Sequence, residues 1–173
     1  MRKSAFVIVT VLALCLAQGL FAQDKMGGKK MSVQESNKKH TREAFDALNA
    51  SDWSKFCTFV ADNFAEHNPG PGEGPGCKGV TDFFTGFKKA FPDLKMTIQD
   101  IVASGDEVWV RSIVTGTQKG DFMGIPASGK SFKIDGYDVI KIKNGKATDH
   151  WGVLDMASMM QQIGGVPPPP KGK

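Results

Sequence analysis

The sequence predicts an α+β domain with its helices first and a curled antiparallel sheet after them. Three observations carry this. Apolar residues recur at helical spacing in three segments between residues 32 and 91, and they alternate at strand spacing from residue 94 to 154. The last two strand patterns meet at Asn144-Gly145, the strongest short hairpin signal. About four main strands and three N-terminal helices result, with the helices covering the concave face of the sheet.

Ser32-Val33-Gln34-Glu35 is a capping box and opens the first helix, which runs to about Asn49 with Ala44, Phe45 and Leu48 on its apolar side. Ser51-Asp52 starts a second helix in which Trp53, Phe56, Cys57 and Val60 share a face. Phe64 to Asn68 suits a short strand entering Pro69-Gly70-Pro71-Gly72-Glu73-Gly74-Pro75-Gly76, a run that neither helix nor central strand accommodates. A third helix follows, with Val80, Phe83, Phe84, Phe87 and Phe91 on one face and Pro92 ending it. That stripe reads first as core packing, with Phe87 also a candidate for the wall of a ligand cavity.

The strand region begins with Leu94, Met96 and Ile98 and turns at Ser104-Gly105-Asp106. Residues 108–115 alternate again, and a loop from Gly120 to Lys130 holds Phe122-Met123-Gly124-Ile125-Pro126. Two strands, 131–143 and 146–154, form the hairpin. Asp155 then caps a short last helix carrying Met156, Met159, Met160 and Ile163, closed by Gly164-Gly165.

Outside this domain, residues 1–22 have the parts of an export signal: Arg2 and Lys3, an apolar run from Ala5 to Ala17, and a small residue, Ala22. The run falls short of the ~20 residues that span a bilayer, and Leu14 stands where a lipoprotein signal needs a small residue before Cys15. A soluble periplasmic or secreted protein without a stable membrane anchor is therefore expected. Residues 23–31 read as a flexible leader, 32–166 as the domain, and 167–173 as a Pro/Lys tail. Cleavage leaves 173 − 22 = 151 residues, with 20 basic against 18 acidic side chains, scattered and without a basic stripe. Nucleic-acid binding is not expected. Nor is a metal, since there is no Cys-x-x-Cys or His-x-x-x-His spacing. Cys57 and Cys77 remain after export and suit a disulfide, although the place of Cys57 on an apolar stripe equally suits a buried free thiol.

A two-residue hairpin loop pairs Lys143 with Lys146, so that facing residues sum to 289. Asp138, Ile140, Asp149 and Trp151 then share one face of the sheet, with Tyr137 and Lys141 on the other. Two carboxylates on an apolar face are candidates for acid/base work, because burial and mutual repulsion raise at least one pKa. The bland alternative is a fold-holding network with Arg111 or the Trp151 indole. His67, beside the Pro/Gly loop, is placed to edge a cavity mouth. By alternation His150 points away from Asp149, and His40 lies on the polar side of its helix.

His67-Asn68-Pro69, Phe91-Pro92-Asp93-Leu94, Gly120 to Pro126, and Asn144-Gly145-Lys146 through Asp149-His150-Trp151 to Asp155 together resemble the SnoaL-like polyketide cyclases over about residues 34–166. The resemblance implies a conical α+β domain of the nuclear transport factor two-like fold around a cavity open at one end. It also implies cyclase, isomerase or hydrolase-type acid/base chemistry on a small apolar carbonyl compound, without metal or organic cofactor, and a homodimer built on the open sheet face. Asp149 is the position that matches the family's general acid/base, with Asp138 and His67 orienting the substrate or stabilising an enolate. Trp151, Phe122, Met123 and Phe87 would line the wall. The alternative is a non-catalytic exported binder of a small hydrophobic ligand.

Overall fold

The computed structural model describes residues 31–165. The expected export signal, the leader up to residue 30 and the Pro/Lys tail lie outside the described residues. Helix α1 (Val33–Ala50) starts at the capping box, where Ser32 Oγ accepts the Glu35 N–H at 3.2 Å. Helix α2 (Trp53–Thr58) is capped by Asp52, which accepts the Lys55 N–H at 3.0 Å. The apolar spacing predicted that this helix would reach Val60. Instead the chain turns at Phe59, and Val60 opens strand β1 (Val60–Glu66).

Helix α3 (Gly76–Ala90) follows the Pro/Gly loop, and strands β2 (Lys95–Ser104), β3 (Glu107–Thr117), β4 (Ser131–Lys143) and β5 (Lys146–Leu154) form an antiparallel meander. Helix α4 (Met156–Ile163) is capped by Asp155 and closed by Gly164. The sheet order is β1-β5-β4-β3-β2, with β1 parallel to β5. The predicted α+β curled sheet is therefore present, with five strands instead of about four. The added one is the short segment before the Pro/Gly loop, longer than its sequence pattern suggested.

On β3 and β4, buried and exposed residues alternate, as a sheet with one covered face requires. Val114, Phe132 and Ile134 on the inner face meet Phe87, Phe91, Leu94, Met159 and Ile163. Phe91 is fully buried and meets the rings of Phe87, Phe122 and Phe132 edge-on at 5.0–5.3 Å. Burial of each such ring stabilises the fold by roughly 1.5–3 kcal/mol. Phe87, 3 % exposed, belongs to this core and not to a cavity wall, which corrects its assignment as a ligand contact.

Cys57 and Cys77 are joined by a disulfide across a separation of 20 residues. The free-thiol alternative fails because α2 ends one residue after Cys57, which leaves the cysteine half-buried at the end of the helix, facing the start of α3. The bridge ties α2 to α3 on either side of the Pro/Gly loop.

The hairpin contains the consequential departure. Asn144 and Gly145 have positive φ (51° and 76°), as a tight turn of the primed type needs, and Lys143 pairs with Lys146 and Ile142 with Ala147 as expected. Thr148 then has no partner of its own. The next pairs are Lys141 with Asp149, Ile140 with His150 and Asp138 with Gly152. This is a β-bulge, in which two residues oppose one, and beyond it every β5 side chain changes face. The Thr148 hydroxyl donates to the Lys141 carbonyl at 3.4 Å and to Asp149 Oδ2 at 2.8 Å.

Candidate functional site

Helices α1, α2 and α3, strand β1, the Pro/Gly loop and the inner faces of β4 and β5 enclose a cavity of about 520 Å³. Most of its lining is apolar, including Phe45, Phe56, Phe59, Phe83, Ile140 and Ile142. Phe122 and Met123 line it as predicted. Asp138 lines it too, and Tyr137 is exposed on the opposite face, so the predicted facing of β4 holds. The prediction for β5 does not. Asp149 and Trp151 lie on the outer face of the sheet, because the bulge at Thr148 turned them there.

His67 is also outside the cavity. Its ring stacks on Trp151 at 4.2 Å between centroids, and its Nε2 lies 3.1 Å from Asp149 Oδ1. That bond, with the Thr148 hydroxyl, holds the Asp149 carboxyl below the usual carboxylate value. Three of the residues expected to act together do come together, but on the wrong side of the sheet. Arg111, offered as a partner for the buried carboxylates, instead pairs with Asp100 at 2.6 Å, with Asp135 at 3.9 Å, on the outer face.

The residue that takes the inner position is His150. It bridges two carboxylates from the two neighbouring strands: Nδ1 meets Glu66 Oε2 from β1, and Nε2 lies 3.1 Å from Asp138 Oδ1 on β4. The strand order explains the alignment, since β5 lies between β1 and β4, with Glu66 in register with His150. Gly152 makes the reach to Asp138 feasible. A Cβ there would fall 2.6 Å from His150 Cε1 and 3.3 Å from Asp138 Oδ1.

The electrostatics follow from this enclosure. Burial alone would push the His150 pKa down, but the bonds and charges of Asp138 and Glu66 outweigh it and raise the value from 6.5 to about 9. At neutral pH the ring is therefore an imidazolium that donates to both carboxylates. Burial also works against the Glu66 charge, yet His150 and the Asn68 N–H at 2.9 Å hold its carboxyl below the usual value. Asp138 is 7 % exposed, and its Oδ2 is buried with no hydrogen-bond partner. His150, a quarter exposed, is the member of the cluster most accessible from the cavity.

Sequence reasoning missed Glu66, His150 and Glu73, all of which line the cavity, and it passed over His40, which lines the end near Gly145. A rule that β5 must place Leu154 inside, beside the apolar start of α4, would have selected the observed register.

Comparison with known proteins fits this architecture. Residues 39–163 match the family model for the SnoaL-like polyketide cyclases. The chain belongs to that family. Two curated relatives are 27% identical over 146 residues, covering 82% of this chain: the aklanonic acid methyl ester cyclases DnrD of Streptomyces peucetius, 98% covered, and DauD of Streptomyces sp. strain C5, 88% covered. Among solved structures, TsrD from Streptomyces laurentii is similar with a TM-score of 0.71 and 25% identity, over 79% of this chain and 100% of that one. IdmH from Streptomyces antibioticus has a TM-score of 0.68 and 26% identity, over 74% and 98%. The nuclear transport factor two-like fold expected from the resemblance is shared with these neighbours.

Proposed function

We propose that this protein carries out cofactor-independent acid/base chemistry of the cyclase or isomerase type on a small, largely apolar carbonyl compound. One observation carries the proposal: the Glu66–His150–Asp138 relay set into the wall of an otherwise apolar cavity. Asp138 is the base. One of its oxygens is held by His150 and the other is buried without a partner, so it can take a proton from the carbon next to a carbonyl, without giving up an existing bond, once the ligand parts the cavity wall over it. The imidazolium of His150 lies beside the charge that then develops on the enolate oxygen and stabilises it. In a cyclase step the enolate carbon bonds to a second carbonyl carbon of the same molecule, and the resulting alkoxide takes up the proton held by Asp138. Atoms balance and no electrons are exchanged, so the step needs no redox partner. Glu66 orients the ring and offsets its charge. Asp149 and His67, outside the cavity, take no part.

The test is solvent deuterium exchange into the methyl ketone of 2-acetylnaphthalene, with ring closure of aklanonic acid methyl ester as the second assay. Asp138→Asn should slow both by ~10²-fold or more. Asp149→Asn should leave both within about twofold, because that side chain is on the far face of the sheet. Wild-type rates in Asp138→Asn would refute the assignment.

A non-catalytic binder of an apolar ligand is the second reading, favoured by the mostly apolar lining and by carboxylates already engaged with His150. Saturable binding of 2-acetylnaphthalene with no exchange above the buffer rate would decide for it. We further infer export, with cleavage after Ala22. The Cys57–Cys77 bridge supports it, since such bonds persist in oxidising compartments. Among the described residues no helix is long and apolar enough to cross a membrane. Mass spectrometry of the native protein should find Gln23 at the N-terminus, and an intact Met1 would refute export. A homodimer through the outer sheet face is in keeping with the exposed Trp109, Tyr137 and Val153 there, and sedimentation would test it.

A further inference from the structure

The cavity contains a charged group that the acid/base step does not use. Glu73 comes from the Pro/Gly loop and lines the wall close enough to Glu66 and His150 to feel both charges. Its place is fixed from several directions. The Glu73 N–H donates to the Gly70 carbonyl at 3.0 Å, and Glu73 Oε2 accepts the Gly70 N–H at 2.8 Å, so the turn closes on itself. The loop is pressed onto α3: a Cβ on Gly79 would fall 1.6 Å from the Gly74 carbonyl oxygen, and one on Gly70 would fall 2.4 Å from the Phe83 ring. The Cys57–Cys77 bridge ties its far end to α2. The backbone that carries Glu73 is thus held against α3, and its carboxylate is tied to the Gly70 N–H.

The charge balance at this end of the cavity is one-sided. Glu66, Glu73 and Asp138 face a single cationic ring, and none of the described residues lining the cavity is lysine or arginine. His40, also in the lining, faces the Gly145 end. Glu66 and Asp138 are both committed to His150, which leaves Glu73 as the carboxylate without a counter-charge of its own. In keeping with this, burial and the neighbouring Glu66 raise the Glu73 carboxyl above its usual value. A ligand carboxylate brought here would lose its hydration and meet net negative charge, whereas an ester or ketone would lose little.

We propose that Glu73 is a specificity-determining residue that closes the cavity to anionic ligands, so that the site accepts neutral esters and ketones and rejects the corresponding free acids. The proposal rests on the acid/base reading only for where the ligand carbonyl sits, and it concerns binding, not turnover.

The experiment is calorimetric titration of the intact, disulfide-bonded protein with methyl 2-naphthylacetate and with 2-naphthylacetate at about pH 8, where the free acid is fully ionised. The wild type should bind the ester at least ~30-fold more tightly than the acid. Glu73→Gln should tighten the acid ~10-fold and leave the ester within about twofold, while Glu73→Asp should keep the discrimination. A merely structural role would weaken both compounds together, and that result would overturn the proposal. So would an acid affinity unchanged in Glu73→Gln, or no binding of the ester at ~1 mM. Failure of Asp138→Asn to lose proton exchange would refute the acid/base assignment alone and leave these affinities unaffected.

Discussion

Raising the pH should unfold this protein more readily well below the range where lysines titrate, and His150 is the reason. Its pKa is about 9 in the folded chain and an ordinary 6.5 when unfolded. A folded value above the unfolded one means that the stabilising charge is fully present below pH 6.5, declines above it and is lost past about 9. The full difference corresponds to ~3 kcal/mol, a large share of the stability of a domain of this size. On the acid side, Glu66 has a lowered value, so its contribution is present above its ordinary 4.5 and is lost as the pH falls below it. The relay thus stabilises the fold most between about pH 4.5 and 6.5. The assay is a series of urea unfolding curves with the disulfide intact, run beside His150→Gln. Comparison with that variant cancels the opposite contribution of Lys88, whose burial lowers its pKa. The midpoint of the wild type should fall steadily from about pH 6.5 to 9, and that of the variant should not. Because His150→Gln strands two buried carboxylates and risks not folding, the proton NMR titration of the His150 ring is an independent reading. A ring that titrates at or below 6.5, or a flat stability profile, would refute the account of the relay.

Reduction of Cys57–Cys77, or the paired change to serine, should lower stability by ~3 kcal/mol, read from urea midpoints with and without reductant. An unchanged midpoint would mean that the Pro/Gly loop is held by its packing on α3 alone. Gly152→Ala should displace the His150 ring, because its methyl would sit 2.6 Å from Cε1. The expected result is a His150 pKa shifted towards its ordinary value and a loss of proton exchange, with a normally folded circular dichroism spectrum.

The sequence made the architecture legible wherever local chemistry decides structure. Ser32, Asp52 and Asp155 cap helices as their positions suggested, and Asn144-Gly145 forms the hairpin turn. Those signals need no knowledge of what packs nearby. Three features resisted because they depend on partners distant in sequence. Val60 leaves the α2 pattern because β5 offers it a strand partner in Ala147. The disulfide depends on where α2 stops relative to α3. The bulge at Thr148 depends on β1, which pairs with β5 on its other edge and also shifts register along the same stretch.

That one extra residue decides which side chains become a site. The sheet carries two similar pairs: His67 with Asp149 on the outer face and His150 with Asp138 on the inner. Each has a nitrogen–oxygen distance of 3.1 Å, so the contacts alone do not distinguish them. Their surroundings do. The outer pair has an exposed histidine, where solvent weakens the interaction and either group can exchange its partner for water. The inner pair is enclosed, and a second carboxylate, Glu66, completes it from β1. In that setting the proton on His150 is held to about pH 9, and the second oxygen of Asp138 is buried without a partner. Residue type nominated both pairs equally, and a straight register would have placed the wrong one in the cavity. Burial, set by a bulge three residues after the hairpin turn, makes the inner pair the chemical one.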